Sequence, residues 1–434
     1  MRQAIRSGRL APGTVLPSTR ALADDRGLAR ATVVAAYEHL VAEGYLLTRP
    51  GAGTSVADLR LPRPSEEPSA RPAPSFQADF RPGEPDGGLF PRAAWGRSVR
   101  RVLDRADDHL FGYGDQRGSA ALREQLAQYL ARSRAMFTSA ESISIFGGLS
   151  SAFGFLAEAF LRAGIDRVAV EDPSLFLLRD ILRLGGAEPV PVPIDHDGID
   201  VTALAGLDVG AVIVTPAHQY PLGHTMAPGR RAELLEWARG NDAWIVEDDY
   251  DGEFRYDRQP IGSLQGLDPE RVIYAGSASK SLAPALRIAW LALPDALVGP
   301  MAAVKHWRGG VSGLEQETLA DLIERGELDR HLRHARTLYR RRHDALAERL
   351  QADVPWLDVP STRAGLHLTA TITNGIDENN LVRRAAKESI GLLGLRPHWL
   401  GPPTADGLVI GYSRLAEHQY HTALDRLIEH LRHW

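Results

Sequence analysis

The chain has 434 residues, 44% of them hydrophobic and 24% charged, enough length and apolar content for several cores and too much for a disordered polypeptide. It contains no cysteine, which excludes thiolate metal sites, thiol catalysis and a disulfide framework. The net charge of −5 hides an asymmetry: eight arginines against five acids give residues 1–60 a charge of +3, and 42 basic against 50 acidic residues leave the remainder at −8, the layout of a small basic module on an acidic body.

Ser18 stands as an N-cap before Thr19-Arg20-Ala21-Leu22-Ala23, where a short amphipathic helix is expected. Gly27-Leu28-Ala29-Arg30 reads as a turn, and Ala31 to Glu43 as a second helix closed by Gly44. Two short helices across a glycine turn, with Arg30 and Thr32 at the start of the second, give helix-turn-helix geometry. Tyr45-Leu46-Leu47-Thr48 and Ser55-Val56-Ala57 follow as strands, joined by a wing whose tip offers Arg49 and glycines to a DNA backbone. These residues resemble the GntR winged-helix group. The resemblance implies double-stranded operator DNA as a partner, with Arg20 on phosphate, Arg30 and Thr32 opening the recognition helix and Gly51 at the wing tip. Other members carry an arginine further along that helix where this chain has Val34, so base preference does not carry over. A winged helix normally has a first helix packed behind the other two. Only Met1 to Gly8 precedes the turn region here, so that helix is expected to be truncated.

Asp58 to Ser75 holds Pro62, Pro64, Pro68, Pro72 and Pro74 among charges, the composition of an extended, semi-rigid spacer. From Phe80 onward, apolar strands at 143–146, 167–171, 211–215, 244–247, 272–275 and 288–293 alternate with amphipathic helices, which predicts a mostly parallel sheet covered on both faces. A long arginine-rich helix is expected near 327–350, its His331 and His334 reading as a solvated face rather than as metal ligands. Beyond about 355 the strand-like Gly365-Leu366-His367 and Val409-Ile410-Gly411-Tyr412 belong to a smaller α/β unit. The expected divisions are 1–57, 58–75, 76–325 and 326–434.

Ile145-Phe146-Gly147-Gly148-Leu149-Ser150 reads as strand, glycine turn and helix start, which aims free N–H groups at a phosphate. Ala243-Trp244-Ile245-Val246 ends in Glu247-Asp248-Asp249-Tyr250-Asp251, four carboxylates that repel one another unless a cation is near. Val272-Ile273-Tyr274 then leads into Ala275-Gly276-Ser277-Ala278-Ser279-Lys280. Of the 50 basic residues only Lys280, Lys305 and Lys387 are lysines. Unlike arginine, a desolvated lysine amine can lose its proton and attack an aldehyde. Ser277 and Ser279 suit a phosphate, and a phosphate beside a Schiff-base lysine points to pyridoxal 5'-phosphate (PLP). A carboxylate would hold the protonated ring nitrogen and Tyr250 the phenolate oxygen. Asp248 is the choice for the nitrogen, with Glu247 and Asp249 close enough in register to remain open.

These segments resemble fold-type I aminotransferases. The resemblance puts Arg287 on the cofactor phosphate, Tyr113 of Phe111 to Gly118 on the partner subunit's cofactor, and Gln219 in the Pro-Gly loop beside the ring. Joined to the winged helix, they resemble the MocR/GabR subfamily of bacterial regulators. The implied fold is a winged helix-turn-helix joined to an α/β PLP-dependent transferase fold with a small C-terminal subdomain. The implied assembly is a homodimer with exchanged domains. No apolar run reaches the roughly 18 residues of a membrane span, and a cytoplasmic protein is expected. After Glu171-Asp172-Pro173 such regulators carry an aromatic residue and an arginine. Here Ser174-Leu175-Phe176-Leu177 offers only Phe176. Leu408 and Val409 stand where aminotransferases hold a substrate arginine, with Arg414 nearby, so the ligand is expected to be no simple amino acid. The favoured function is a PLP-dependent transcriptional regulator sensing a small amine or PLP through the Lys280 aldimine. The alternatives are a working aminotransferase with a vestigial winged helix and an inert dimer scaffold.

Overall fold

The computed structural model describes residues 1–51, 53–59, 75–256, 261–306, 308 and 310–434. They fall into two units, Met1–Pro74 and Ser75–Trp434. Nearly all of the proline-rich segment, 60–74, lies outside the described residues.

In the first unit the Ser18 hydroxyl accepts from the Ala21 N–H at 3.2 Å and opens the helix Thr19–Arg26, which Gly27 closes in the left-handed region at φ 62°. The helix Arg30–Ala42 follows and buries Val33, Tyr37 and Leu40, a spacing of four then three residues along one face. Strands Leu46–Arg49 and Gly53–Val56 pair antiparallel, and Val15 bridges to Ser55 beside them. Gly51 takes φ 80° between them, a conformation that costs glycine little. Residues Arg2–Arg6 form a single short helix that contributes Ile5 to the core, and the Arg2 guanidinium pairs with Glu43 at the far end of the second long helix.

The second unit is built on an eight-stranded sheet. From one edge to the other its strands are Ile143–Phe146, Ala289–Ala292, Val272–Ser277, Trp244–Asp248, Ala211–Val214, Arg167–Asp172, Glu188–Asp195 and Gly198–Ile199. The sheet is mixed: Ala289–Ala292 runs antiparallel to both neighbours, while the strands from Val272–Ser277 to Glu188–Asp195 are parallel. Side chains alternate across it. Val246 and Ile273 pack into the core that includes Phe153 and Leu156 of helix Leu149–Arg162, and Ile245 and Val272 into the opposite core with Leu234 of helix Pro228–Gly240.

Glu188–Asp195 is absent from the sequence expectation, and it carries Pro189, Pro191 and Pro193, residues seldom found inside a sheet. The Glu188 N–H bonds the Asp166 carbonyl, so the even-numbered residues face the neighbouring strand and the prolines put their missing N–H on the outer side. The arginine-rich helix spans Glu327–Asp353. His331 on it is buried, not solvated, with Nε2 at 2.8 Å from the Ser281 carbonyl, because that helix runs beneath the turn carrying Lys280. A four-stranded antiparallel sheet, Leu357–Asp358, His367–Ile372, Gly407–Gly411 and Leu393–Gly394, makes the smaller layer. Ile390–Gly391 pairs with Ala78–Asp79, which fixes the segment after Asp79.

Candidate cofactor site and nucleic-acid interface

Lys280 sits in the single helical turn Ala278–Ser281 at the carboxyl end of Val272–Ser277. Its Nζ donates to the Gly83 carbonyl at 2.5 Å. Burial lowers the amine below the ordinary lysine range, against the pull of Asp251, Asp248 and Glu84. A lysine so placed is biased toward the neutral nucleophile.

Strand alternation turns the upstream acids to opposite faces. Glu247 shares a face with Ile245, and its Oε2 accepts from the Gln265 N–H at 3.2 Å. Asp249 is held by the Arg134 guanidinium and by the Tyr274 hydroxyl, the latter at 2.7 Å. Asp248 faces the other way, with Val246, toward the side of helix Leu149–Arg162. Burial, and then Asp249, push its carboxyl up to about 7, while Lys280 pulls it down. Its Oδ1 is buried with no hydrogen-bond partner among the described residues. A buried acceptor without a donor costs free energy, and a ring N–H would satisfy it.

The Tyr250 hydroxyl lies 2.9 Å from His218 Nδ1, which is also 3.0 Å from Asp251 Oδ2. His218 belongs to the Pro-Gly loop, but its place in this relay was not legible there. Neither was that of His367, whose Nε2 is 3.0 Å from the Pro221 carbonyl. The Tyr220 ring lies 5.0 Å from His367 and 5.2 Å from His398, closing an aromatic wall. Burial lowers His367 well below its usual range and His398 to about 4, so both imidazoles are neutral.

The phosphate end is built by close approach. Gly148, at φ 104°, precedes helix Leu149–Arg162, and a Cβ on it would lie 2.9 Å from the guanidinium carbon of Arg287. The glycine therefore lets Arg287, itself in the left-handed region at φ 52°, close over the helix N-terminus. Leu149 is half-buried and Ser150 exposed on the first turn of that helix. The Ser277 hydroxyl caps the Lys280 turn through the Ser279 N–H at 3.4 Å. These groups fit a phosphorylated pyridine aldehyde: an amine, an unpaired carboxylate, and an arginine at an open helix end.

Three other expected residues have different surroundings. The Gln219 amide is committed to its own loop, donating to Pro173 and Tyr220 carbonyls at 2.9 and 2.7 Å and to Glu171 at 3.2 Å. Phe176 is half-exposed, with its ring 5.6 Å from His398. Tyr113 is 100% exposed. In the first unit Arg20, Arg30, Thr32, Arg49 and Gly51 are all exposed, and the three arginines make no ion pair among the described residues. Among the described residues no helix is long and apolar enough to cross a membrane.

Comparison with known proteins agrees with both units. The family described as bacterial regulatory proteins, gntR family, matches residues 1–56, and aminotransferase class I and II matches residues 81–375. The chain is 34% identical to the probable rhizopine catabolism regulatory protein MocR of Rhizobium meliloti, over 95% of this chain and 88% of that one. It is 31% identical to the pyridoxine biosynthesis transcriptional regulator PdxR of Corynebacterium glutamicum, over 95% and 90%. Among solved structures, a multiple substrate aminotransferase from Thermococcus profundus superposes with a TM-score of 0.74 at 25% identity, covering 83% of this chain and 92% of that one. The chain belongs to the MocR-type GntR regulators, in which a helix-turn-helix domain is joined to an aminotransferase class I and II domain.

Proposed function

We propose that this chain is a DNA-binding transcriptional regulator that holds PLP on Lys280 and uses it to sense a small primary amine. The observation that carries the reading is the buried, donorless Asp248 Oδ1 on the Lys280 side of the sheet, in a chain that also carries a basic helix-turn-helix unit. PLP, when bound, supplies an aldehyde for amines and an electron-withdrawing ring. Asp248 accepts from the ring N–H, Tyr250 and His218 share a proton at the phenolate side, and Arg287 with the helix end at Gly148 takes the phosphate. The exposed arginines of the first unit meet operator DNA, with a homodimer presenting two copies to two half-sites and domains exchanged between subunits. Tyr113, wholly exposed, is the residue that would reach a partner's site. Sensing requires that the amine bind two arrangements of the dimer with different affinity, typically by about 1–3 kcal/mol. The active-aminotransferase reading has less support, since no arginine stands at 174–177 or at Leu408 and Val409.

The test compares purified wild type with Lys280→Ala in the presence of PLP. A visible cofactor band that requires Lys280, shifts with an amine and changes operator affinity without product formation is the expected result. Steady keto-acid production would favour the enzyme, and no Lys280-dependent band would favour the inert scaffold.

A further inference from the structure

Glu171 has no part in the cofactor site as built above, yet it lies 3% exposed near the carboxyl end of the strand Arg167–Asp172. Its Oε2 accepts three hydrogen bonds, from the Thr215 N–H at 3.2 Å, the Thr215 hydroxyl at 2.6 Å and the Gln219 amide at 3.2 Å. Its Oε1 is buried without a partner among the described residues. All three donors come from one loop.

That loop is tied together through the same groups. The Thr215 hydroxyl, while donating to Glu171, accepts from the Tyr220 N–H at 3.0 Å. The Gln219 amide that donates to Glu171 accepts at its own Oε1 from the Leu222 N–H at 2.9 Å. One carboxylate thus grips both ends of Thr215-Pro216-Ala217-His218-Gln219, and Tyr220 by way of Thr215. His218 lies inside that grip, with Nδ1 at 2.9 Å from the Tyr250 hydroxyl. The Tyr220 ring lies 5.7 Å from the Tyr250 ring and 5.0 Å from His367. Burial pushes Glu171 up to about 7, and its bonded partners are all neutral. Asp248 and Tyr250, both raised chiefly by burial, are raised further by its charge. An ionised acceptor is harder to bury than a neutral one but forms stronger bonds to the loop's donors.

Resting on the reading above that PLP binds at Lys280, we infer that Glu171 is a positioning residue of the cofactor site, setting where His218 and Tyr220 stand against the phenolate side of the ring. It acts through the loop and not by contact with the cofactor. His218 is the group that transmits the effect, since it alone within the grip bonds the Tyr250 hydroxyl. The loop's place at the ring is therefore fixed from the neighbouring strand Arg167–Asp172, and the proton shared by Tyr250 and His218 depends on it.

The experiment titrates the full chain with PLP and records, for each variant, cofactor affinity and the pH midpoint of the Lys280-dependent cofactor band. Glu171→Ala should weaken PLP roughly tenfold and move the midpoint by about one unit. Glu171→Gln, whose amide oxygen can still accept from Thr215 and Gln219, should recover most of the affinity. The deciding arm is a double-mutant cycle: Glu171→Ala on a His218→Asn background should move the midpoint little further, because the residue it acts through is gone. Where Glu171→Ala does not fold, as read from its melting temperature, Thr215→Val removes the shortest of the three bonds and carries the same expectations. An unmoved affinity or midpoint, a Gln variant as weak as the Ala variant, or a midpoint shift that persists undiminished on His218→Asn overturns the inference while the regulator reading stands. If wild type shows no Lys280-dependent band, the regulator reading itself falls and this one with it.

Discussion

Asp248 is a carboxylate that is costly in the bare protein and, on the ring-nitrogen assignment proposed above, needed in the loaded one. Its pKa is raised from 3.8 to about 7 on folding, so the protonated form is carried freely below the unfolded value, and stability is lost as pH climbs through about 7. Asp248→Asn removes that loss. In PLP-free protein the melting temperature of the variant relative to wild type should therefore rise steadily between about pH 4 and pH 7. With PLP present the ranking should reverse, because the amide cannot hold the ring N–H as an anion does. A variant that keeps wild-type cofactor affinity would sink the ring-nitrogen assignment. The sequence carried this site only in part. Period two along Trp244–Asp248 says that Glu247 and Asp248 face opposite ways, but which face meets Lys280 depends on the side taken by helix Leu149–Arg162. His218, His367 and His398 converge from three distant segments, and no local spacing announces such a meeting.

At the scale of elements, the glycine turn at Gly148 was legible because it serves backbone chemistry that only a glycine between a strand and a helix allows. The strand Glu188–Asp195 was not, because three prolines conform to a ladder only when all of them face the same unpaired side. His331 was misread as solvated because an arginine-rich helix looks polar all round, whereas its buried stripe includes Leu328, His331, Leu332 and Ala335. In the first unit the turn at Gly27 and the cap at Ser18 fixed the two helices from local chemistry alone. Arg30 stands exposed as the first residue of the second helix. Arg30→Ala should weaken operator binding by about 1–3 kcal/mol if it reads a base, or lower the salt slope by about one unit if it meets phosphate. Gel-shift titration at several salt concentrations separates the two. PLP affinity should not change, and unaltered operator affinity would remove Arg30 from the interface.

The second unit is organised around a large sheet with two ends, and each end carries a feature that hinders strand addition. At one end the N–H of Ile145 is taken by the Arg117 carbonyl, and the carbonyl of Ile145 by the Lys305 ammonium, whose pKa burial lowers to about 8. At the other, Pro189, Pro191 and Pro193 remove the outward donors of Glu188–Asp195, leaving room only for the two-residue Gly198–Ile199. Replacing Pro189 and Pro191 by valine restores two outward N–H groups on a β-favouring strand. The variant should fold with similar PLP affinity yet form larger species with rising concentration, read by light scattering; a variant as dispersed as wild type would show that the prolines serve the strand alone. The consequence reaches beyond solubility. A chain proposed to act as a dimer on its operator cannot tolerate a surface that adds copies without limit, and margins poor in outward donors favour closed, side-chain-mediated pairing over strand addition.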